Sequence, residues 1–232
     1  MRDRESAFTP IGEHLGNKKY QIIYADPPWR YDDPKGNDPA MGGITYSTMA
    51  TDEICALPVS EIADKDCALF LWVTMPKLPD GLQVMSAWGF KYTTCAFTWV
   101  KMNGLCSGVY SGMGHWTNGN AELCLFGKRG TPSRLNKDVK QIVMAPVQEH
   151  SKKPSEVRER IIRLVGDMPR IELFARKKIT GWDCWGNEVE SDITLEPSPV
   201  KKPLTVTFTK PIEIDGVSSW VNSDGSPYHV GE

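Results

Sequence analysis

Asp26-Pro27-Pro28-Trp29 is the stretch of this chain best equipped to do chemistry. It follows the apolar run Tyr20-Gln21-Ile22-Ile23-Tyr24-Ala25, which reads as a buried strand of an α/β sheet. A carboxylate, two prolines and an indole at a strand's carboxyl end make a stiff polar pocket with a flat wall. The prolines fix φ and bring no N–H, so the loop offers carbonyl acceptors beside the carboxylate. Such a pocket suits a planar group with an exocyclic amine, which donates from one edge while its face stacks. Adenine has that shape. The alternative is a rigid strand-to-loop turn around a core tryptophan.

Further segments follow in order: YSTM (46–49), LFLWVT (69–74), WGF (88–90), TWVK (98–101), GHWTNGNAELCLFGKRG (114–130), EHSKKP (149–154), IELFAR (171–176) and GWDCWGNE (181–188). With YADPPW (24–29) this series resembles the MT-A70 family of adenine-N6 methyltransferases over about residues 20–190. The resemblance implies transfer of a methyl group from S-adenosyl-L-methionine to the N6 amine of adenine in nucleic acid. DNA is favoured over RNA, because the chain is nearly bare catalytic core, like the compact prokaryotic and phage members. A catalytically silent nucleic-acid-binding subunit is the competing class, although the aspartate and tryptophan that such subunits lose are present. Amino-group methylation of a small molecule or protein is a third. A homo- or heterodimer remains open.

Methyl transfer to an amine is an in-line displacement, so much of the rate comes from alignment. The N6 lone pair is delocalised into the ring. Acceptors for both N6 hydrogens favour a more tetrahedral nitrogen and stabilise the developing positive charge. Asp26 and the Pro27 carbonyl are assigned that role, with Pro28 stiffening the turn and Trp29 and Tyr46 clamping the base. No GxGxxG follows the first strand, which gives a dinucleotide site no support.

On the donor side, the family's segments map onto Asp26, Lys153, Glu172, Arg176, Asn187 and Glu188. Lys153 could pair with the methionine carboxylate or be a solvated helix-start lysine. Glu172 and Arg176 could serve ribose hydroxyls and the pocket rim, or form a surface ion pair. Asn187 and Glu188 could bind ribose or adenine edges, or only make a turn. Two positions depart from the messenger-RNA enzymes: Lys178-Ile179 stands where they have His-Asn, and Glu188 where they have Gln.

Substrate-side candidates are His115, Trp116 and Asn118, together with the basic residues Lys128, Arg129 and Arg134 as phosphate contacts in a loop after a strand. Residues 128–178 hold 14 Lys and Arg against 6 Asp and Glu, while the rest of the chain holds 13 against 23. A basic face for nucleic acid on an otherwise acidic protein accounts for that split, as would solvated helix charges.

The elements needed to position these groups are those of a doubly wound, mainly parallel α/β sheet of the methyltransferase type, with the family's reversed final strand. Strands are expected at Ala68–Thr74, Thr93–Lys101, Ala121–Gly127, Gln141–Ala145 and Ile171–Phe174. Helices are expected at 51–63, capped by Thr51 and interrupted by Pro58; from Leu78 to Gly89; and from Pro154 to Gly166. Residues 30–47 are a candidate lid, and Asn103–Ser111 a mobile loop. The methyltransferase domain is placed at 1–190 and a Pro-rich β-appendage or tail at 191–232. With 40% apolar and 24% charged residues and no long apolar run, the chain reads as soluble, without a membrane span, and cytoplasmic. The scattered histidines and cysteines suggest no metal and reduced thiols.

Overall fold

The computed structural model describes residues 18–31, 47–112, 116–148 and 152–196, and the backbone of 212–214 and 217–219. The chain divides into two compact units, Met1–Ser198 and Pro199–Glu232. The first is built on β1 (Tyr20–Ala25), α1 (Thr51–Cys55), α2 (Val59–Ile62), β2 (Ala63–Val73), α3 (Leu78–Ala87), β3 (Lys91–Met102), β4 (Ala121–Arg129), β5 (Ile142–Pro146), α4 (Glu156–Val165), β6 (Arg170–Leu173) and β7 (Asp183–Trp185). In the second unit β8 (Ile212–Ile214) and β9 (Val217–Ser219) pair antiparallel.

The seven strands of the first unit form one mixed sheet in the order β5-β3-β4-β2-β1-β6-β7. Strand β4 runs antiparallel to both neighbours, β2 and β3, while the other four pairings are parallel. The expected reversed strand is therefore not the last one. β7 lies parallel to β6, and the reversal sits inside the sheet, where the chain returns from β3 through β4.

Alternation along the strands sends side chains to two cores. Ile23, Ala25, Leu69, Leu71 and Val73 pack with Ile54, Val59, Val84, Met85 and Trp88 beneath α1, α2 and α3. Ile22, Tyr24, Ala68, Phe70 and Trp72 pack on the other face with Val157, Ile161 and Val165 of α4. Those three α4 residues recur every fourth position, so one stripe is buried. Each such burial contributes about 1.5–3 kcal/mol. Gly89 and Gly166, both at positive φ, turn the chain out of α3 and α4.

Several local expectations change. Thr51 is the first helical residue and Ala50 the N-cap, whose N–H donates to Glu53 Oε2 at 2.6 Å. A turn at Ala56–Pro58 splits the expected helix into α1 and α2. Residues 103–110 form a tight turn rather than an open loop: Asn103 N–H donates to the Gly108 carbonyl, and Tyr110 N–H to that of Lys101. Lys128 and Arg129 end β4 instead of lying in a loop. The boundary moves past 190, because Leu195 is buried in the core beneath α1 to α3 and the Asp192 carboxylate accepts from the Cys184 N–H. The proposed lid falls almost wholly at 32–46, outside the described residues.

Candidate active site

Strand β1 lies between β2 and β6, so its carboxyl end opens in the middle of the sheet. The chain leaves β1 toward the face of α1 to α3 and returns to β6 from the face of α4. A crevice opens at such a switch point, and Asp26 is the first residue beyond β1. The turn after it is tied by its own carbonyls. Trp29 N–H donates to Pro27 O at 2.9 Å, Met49 N–H to Pro28 O at 2.8 Å, and Arg30 N–H to Met49 O at 3.0 Å. The Pro27 carbonyl thus spends one lone pair on Trp29 and keeps the other.

A line of four charges runs through the site. Lys153 Nζ donates to Asp26 Oδ2 at 2.8 Å and lies 3.2 Å from Glu122 Oε2; Lys101 Nζ lies 2.5 Å from Glu122 Oε1. Lys153 and Glu122 are buried, and the Asp26 side chain is 29% exposed. Burial pushes the Asp26 carboxyl above the usual aspartate range, and the attraction of Lys153 only partly offsets it. Burial alone would also raise Glu122, but Lys153 and Lys101 outweigh it and hold Glu122 below the ordinary glutamate value. Lys153 would lose its proton more easily if buried alone. Its two carboxylate neighbours reverse that and raise it.

Two cavities meet at Asp26. The first lies toward β2 and β4 and is lined by Asp26, Pro27, Trp29, Tyr31, Trp72, Thr74, Glu122 and Lys153 among others. The second, the roomier of the two, lies toward β6 and β7 and is lined by Asp26, Pro28, Ser47, Met49, Phe174, Arg176, Trp185, Gly186, Asn187 and Glu188. Phe174 adopts a left-handed backbone (φ 61°), rare for a bulky residue, where the chain turns out of β6. Its ring meets Trp185 edge-on, with centroids 5.3 Å apart. A Cβ at Gly186 would collide with the Ala175 backbone, so glycine lets these two loops close against each other. Arg176 Nε stands 3.7 Å from Glu188 Oε1.

The residue set of the second cavity fits an amino-acid sulfonium nucleoside. It combines carboxylates for an ammonium or ribose hydroxyls, a guanidinium for a carboxylate, an amide for a base edge, and aromatic surface. Among the described residues no cluster of His, Cys, Asp and Glu is arranged to hold a metal ion.

Of the residues singled out in the sequence, the structure places Asp26, Pro27, Pro28, Trp29, Arg176, Asn187 and Glu188 along these two cavities. Other residues fall elsewhere. Lys153 lines the first cavity, held by Asp26 and Glu122, instead of the second. Glu172 lines neither: both its oxygens accept from Arg158, at 2.7 and 2.6 Å, in a buried pair facing α4. Trp29 is only 5% exposed, and its Nε1 donates to the Trp72 carbonyl at 3.1 Å, so it is as much core as wall. Trp116, 98% exposed, and exposed Asn118 precede β4, on the same edge of the sheet as Asp26. Lys128 and Arg129 lie at the other end of β4 from Glu122, about 20 Å away at ~3.4 Å per residue. Arg134 and Lys128 border a separate groove there. Tyr46 and His115 lie outside the described residues.

Sequence reasoning missed Glu122, Lys101, Tyr31, Trp72 and Phe174. A lone carboxylate inside the apolar run Ala121–Gly127 was a usable signal, since a buried charge needs a partner. The backbone of Phe174 left no trace in the sequence.

Residues 20–188 match the family model MT-A70. The chain is 34% identical to the Type II methyltransferase M.MunI of Mycoplasma sp, over 80% of this chain and 86% of that one. It is 34% identical to the Drosophila melanogaster N(6)-adenosine-methyltransferase MT-A70-like protein, over 77% of this chain and 28% of that one. Identity to the human N(6)-adenosine-methyltransferase catalytic subunit METTL3 is 32%, over 79% and 30%. The chain therefore spans most of the first relative but under a third of the two animal proteins. With a family model matched across the sheet and both cavities, the chain belongs to the MT-A70 family.

Proposed function

We propose that this protein transfers a methyl group from S-adenosyl-L-methionine to the N6 amine of adenine in nucleic acid, with DNA the favoured substrate. The observation that carries this reading is the meeting of two cavities at one carboxylate, Asp26. The cavity beside β2 takes the base, and the one beside β6 and β7 takes the donor. When bound, the donor supplies an electrophilic methyl carbon on a sulfonium.

Lys153 occupies one oxygen of Asp26, so the other oxygen and the free lone pair of the Pro27 carbonyl accept the two N6 hydrogens. As positive charge develops on the nitrogen, the carboxylate stabilises it and then takes a proton. Its raised pKa makes it a better acceptor at that stage. Arg176, Asn187 and Glu188 hold the donor. Trp116 and Asn118 lie on the entry edge for nucleic acid, whereas Lys128, Arg129 and Arg134 serve phosphates remote from the target base.

DNA is favoured because likeness to a Type II methyltransferase covers most of both chains. RNA is the second reading, supported by the likeness to N(6)-adenosine methyltransferases, since adenosine is a ribonucleoside. The doubly wound, mainly parallel description of the sheet rests on its four parallel pairings and on helices at both faces. A homo- or heterodimeric assembly and a cytoplasmic site of action complete the proposal. Among the described residues no helix is long and apolar enough to cross a membrane.

The test is to incubate the protein with methyl-labelled donor and parallel DNA and RNA pools, then digest to nucleosides. Label in N6-methyldeoxyadenosine is expected. Label only in the RNA product would reverse the choice of substrate, and label in neither would overturn the reading.

A further inference from the structure

A recess lies at the end of the sheet remote from Asp26, between the first residues of β3, the end of β4, the irregular segment 130–141 and the end of α4. The segment has no regular structure, yet it is tethered along its length. Thr131 donates from its N–H and its hydroxyl to Asp66 Oδ1, at 2.8 and 3.2 Å. Leu135 N–H donates to the Leu164 carbonyl at 2.7 Å, Asn136 Nδ2 to that of Arg163 at 2.6 Å, and Gln141 Nε2 to that of Cys95 at 2.6 Å. The wall is thereby fixed before anything binds, which lowers the ordering cost of binding. Two of these bonds also occupy the last carbonyls of α4, whose partial negative charge would otherwise oppose an anion.

Buried Phe97 and half-buried Phe126, Val139 and Leu164 make an apolar floor, while Thr94, Ser133, Lys128 and Arg134 are exposed at the rim. Neighbouring cations are engaged: Arg129 donates to the Ser60 carbonyl at 2.6 Å, and Arg163 pairs with Asp138. Among the described residues Lys128 and Arg134 make no such bond. Two uncommitted cations beside apolar surface suit an anion with an apolar body. A duplex turns its phosphates outward and stacks its bases inside, so it reaches the cations and leaves the floor uncovered. An unpaired strand keeps its phosphates on the cations while its sugars and bases cover the floor.

We infer that this groove holds an unpaired stretch of the nucleic-acid strand that carries the target adenine, its phosphates on Lys128 and Arg134 and its sugars and bases against the apolar floor. This rests on the function proposed above and deepens it by naming the state of the strand and a second place where it is gripped. Lys128 lies about 20 Å along β4 from Glu122. At ~3.4 Å per stacked nucleotide that is roughly six nucleotides from the target base.

The test measures binding of fluorescent random-sequence DNA pools, single-stranded and duplex, to the full chain by anisotropy across a series of salt concentrations. Thermal melting and calorimetric titration with S-adenosyl-L-methionine serve as controls for folding and for the donor site. One double variant, Lys128→Gln with Arg134→Gln, removes the cations. A second, Thr94→Leu with Ser133→Leu, fills the groove from two exposed positions and keeps the cations. In the first, the slope of log affinity against log salt for the single strand is expected to become shallower by about 1.4, two phosphates at about 0.7 each. In the second, single-strand affinity is expected to fall roughly fivefold or more, the low end for one lost base contact, while duplex affinity holds. An unchanged salt slope in the first, or an unchanged single-strand affinity or an equal duplex loss in the second, would overturn the inference. Polyglutamate binding that falls in both variants while strand binding does not would also overturn it, in favour of an acidic protein segment. Failure of the unmodified protein to methylate DNA or RNA pools would instead sink the methyltransferase reading, and the affinity of the groove for an unpaired strand is read independently of it.

Discussion

Lys153 stands between two carboxylates, 2.8 Å from Asp26 Oδ2 and 3.2 Å from Glu122 Oε2. It comes from the residues just before α4, yet it fixes a side chain at the end of β1. The relationship joins the two sides of the crevice and sets the charge of the group proposed to accept the amine.

The sign of its effect can be worked out. Burial raises the Asp26 carboxyl and Lys153 draws it back down. In Lys153→Met the opposing influence is gone, so the pKa of Asp26 rises further. Activity that requires the carboxylate then declines at a higher pH on the acid side. The pH profile of kcat/KM measures this, and an acid limb left where it was would contradict it. Opening the pair also leaves Asp26 and Glu122 facing each other, so a stability loss of about 3 kcal/mol is expected in chemical denaturation.

Glu172 is expected to act on stability rather than on donor binding. Both its oxygens bond the Arg158 guanidinium, and both side chains are largely buried. Glu172→Ala strands that guanidinium and is expected to cost about 3 kcal/mol. Donor affinity of the folded fraction should change little. Calorimetry showing a large affinity loss without a drop in melting temperature would restore the donor-binding role.

Gly186 joins packing to binding. The Cβ of Gly186→Ala meets the oxygen and nitrogen of Ala175, which are backbone and cannot swing aside. The loop carrying Asn187 and Glu188 must shift away from Arg176. Affinity for S-adenosyl-L-methionine is expected to fall by roughly tenfold or more, the equivalent of 1.4 kcal/mol. Unchanged calorimetric affinity would place the donor elsewhere.

Sequence pattern was enough to locate most strands and α4, because continuous apolar runs mark strands buried on both faces and Val157, Ile161 and Val165 mark one helical stripe. It also located Asp26 at a strand end and the loop at Gly186–Glu188. The orientation of β4 was not legible, since a strand buried among others reads the same in either direction. Nor were the pairings of Lys153 and Glu172. A charged residue near a site announces a partner without saying which one. Trp29 looked like a free stacking surface because its residue type says nothing about how much of it the core covers. The remote position of Lys128 and Arg129 follows from the reversal of β4, which carries its last residues away from the crevice.

The most direct measurement is single-turnover transfer of labelled methyl to a DNA pool and an RNA pool by Asp26→Asn, paired with calorimetric titration of the same variant with S-adenosyl-L-methionine. Replacing the carboxylate by a neutral amide of equal size removes charge stabilisation and the proton acceptor. Transfer should fall by at least ~100-fold, the scale of one lost electrostatic contact at a reacting centre, while donor affinity changes far less. Transfer at the wild-type rate would contradict the proposed chemistry.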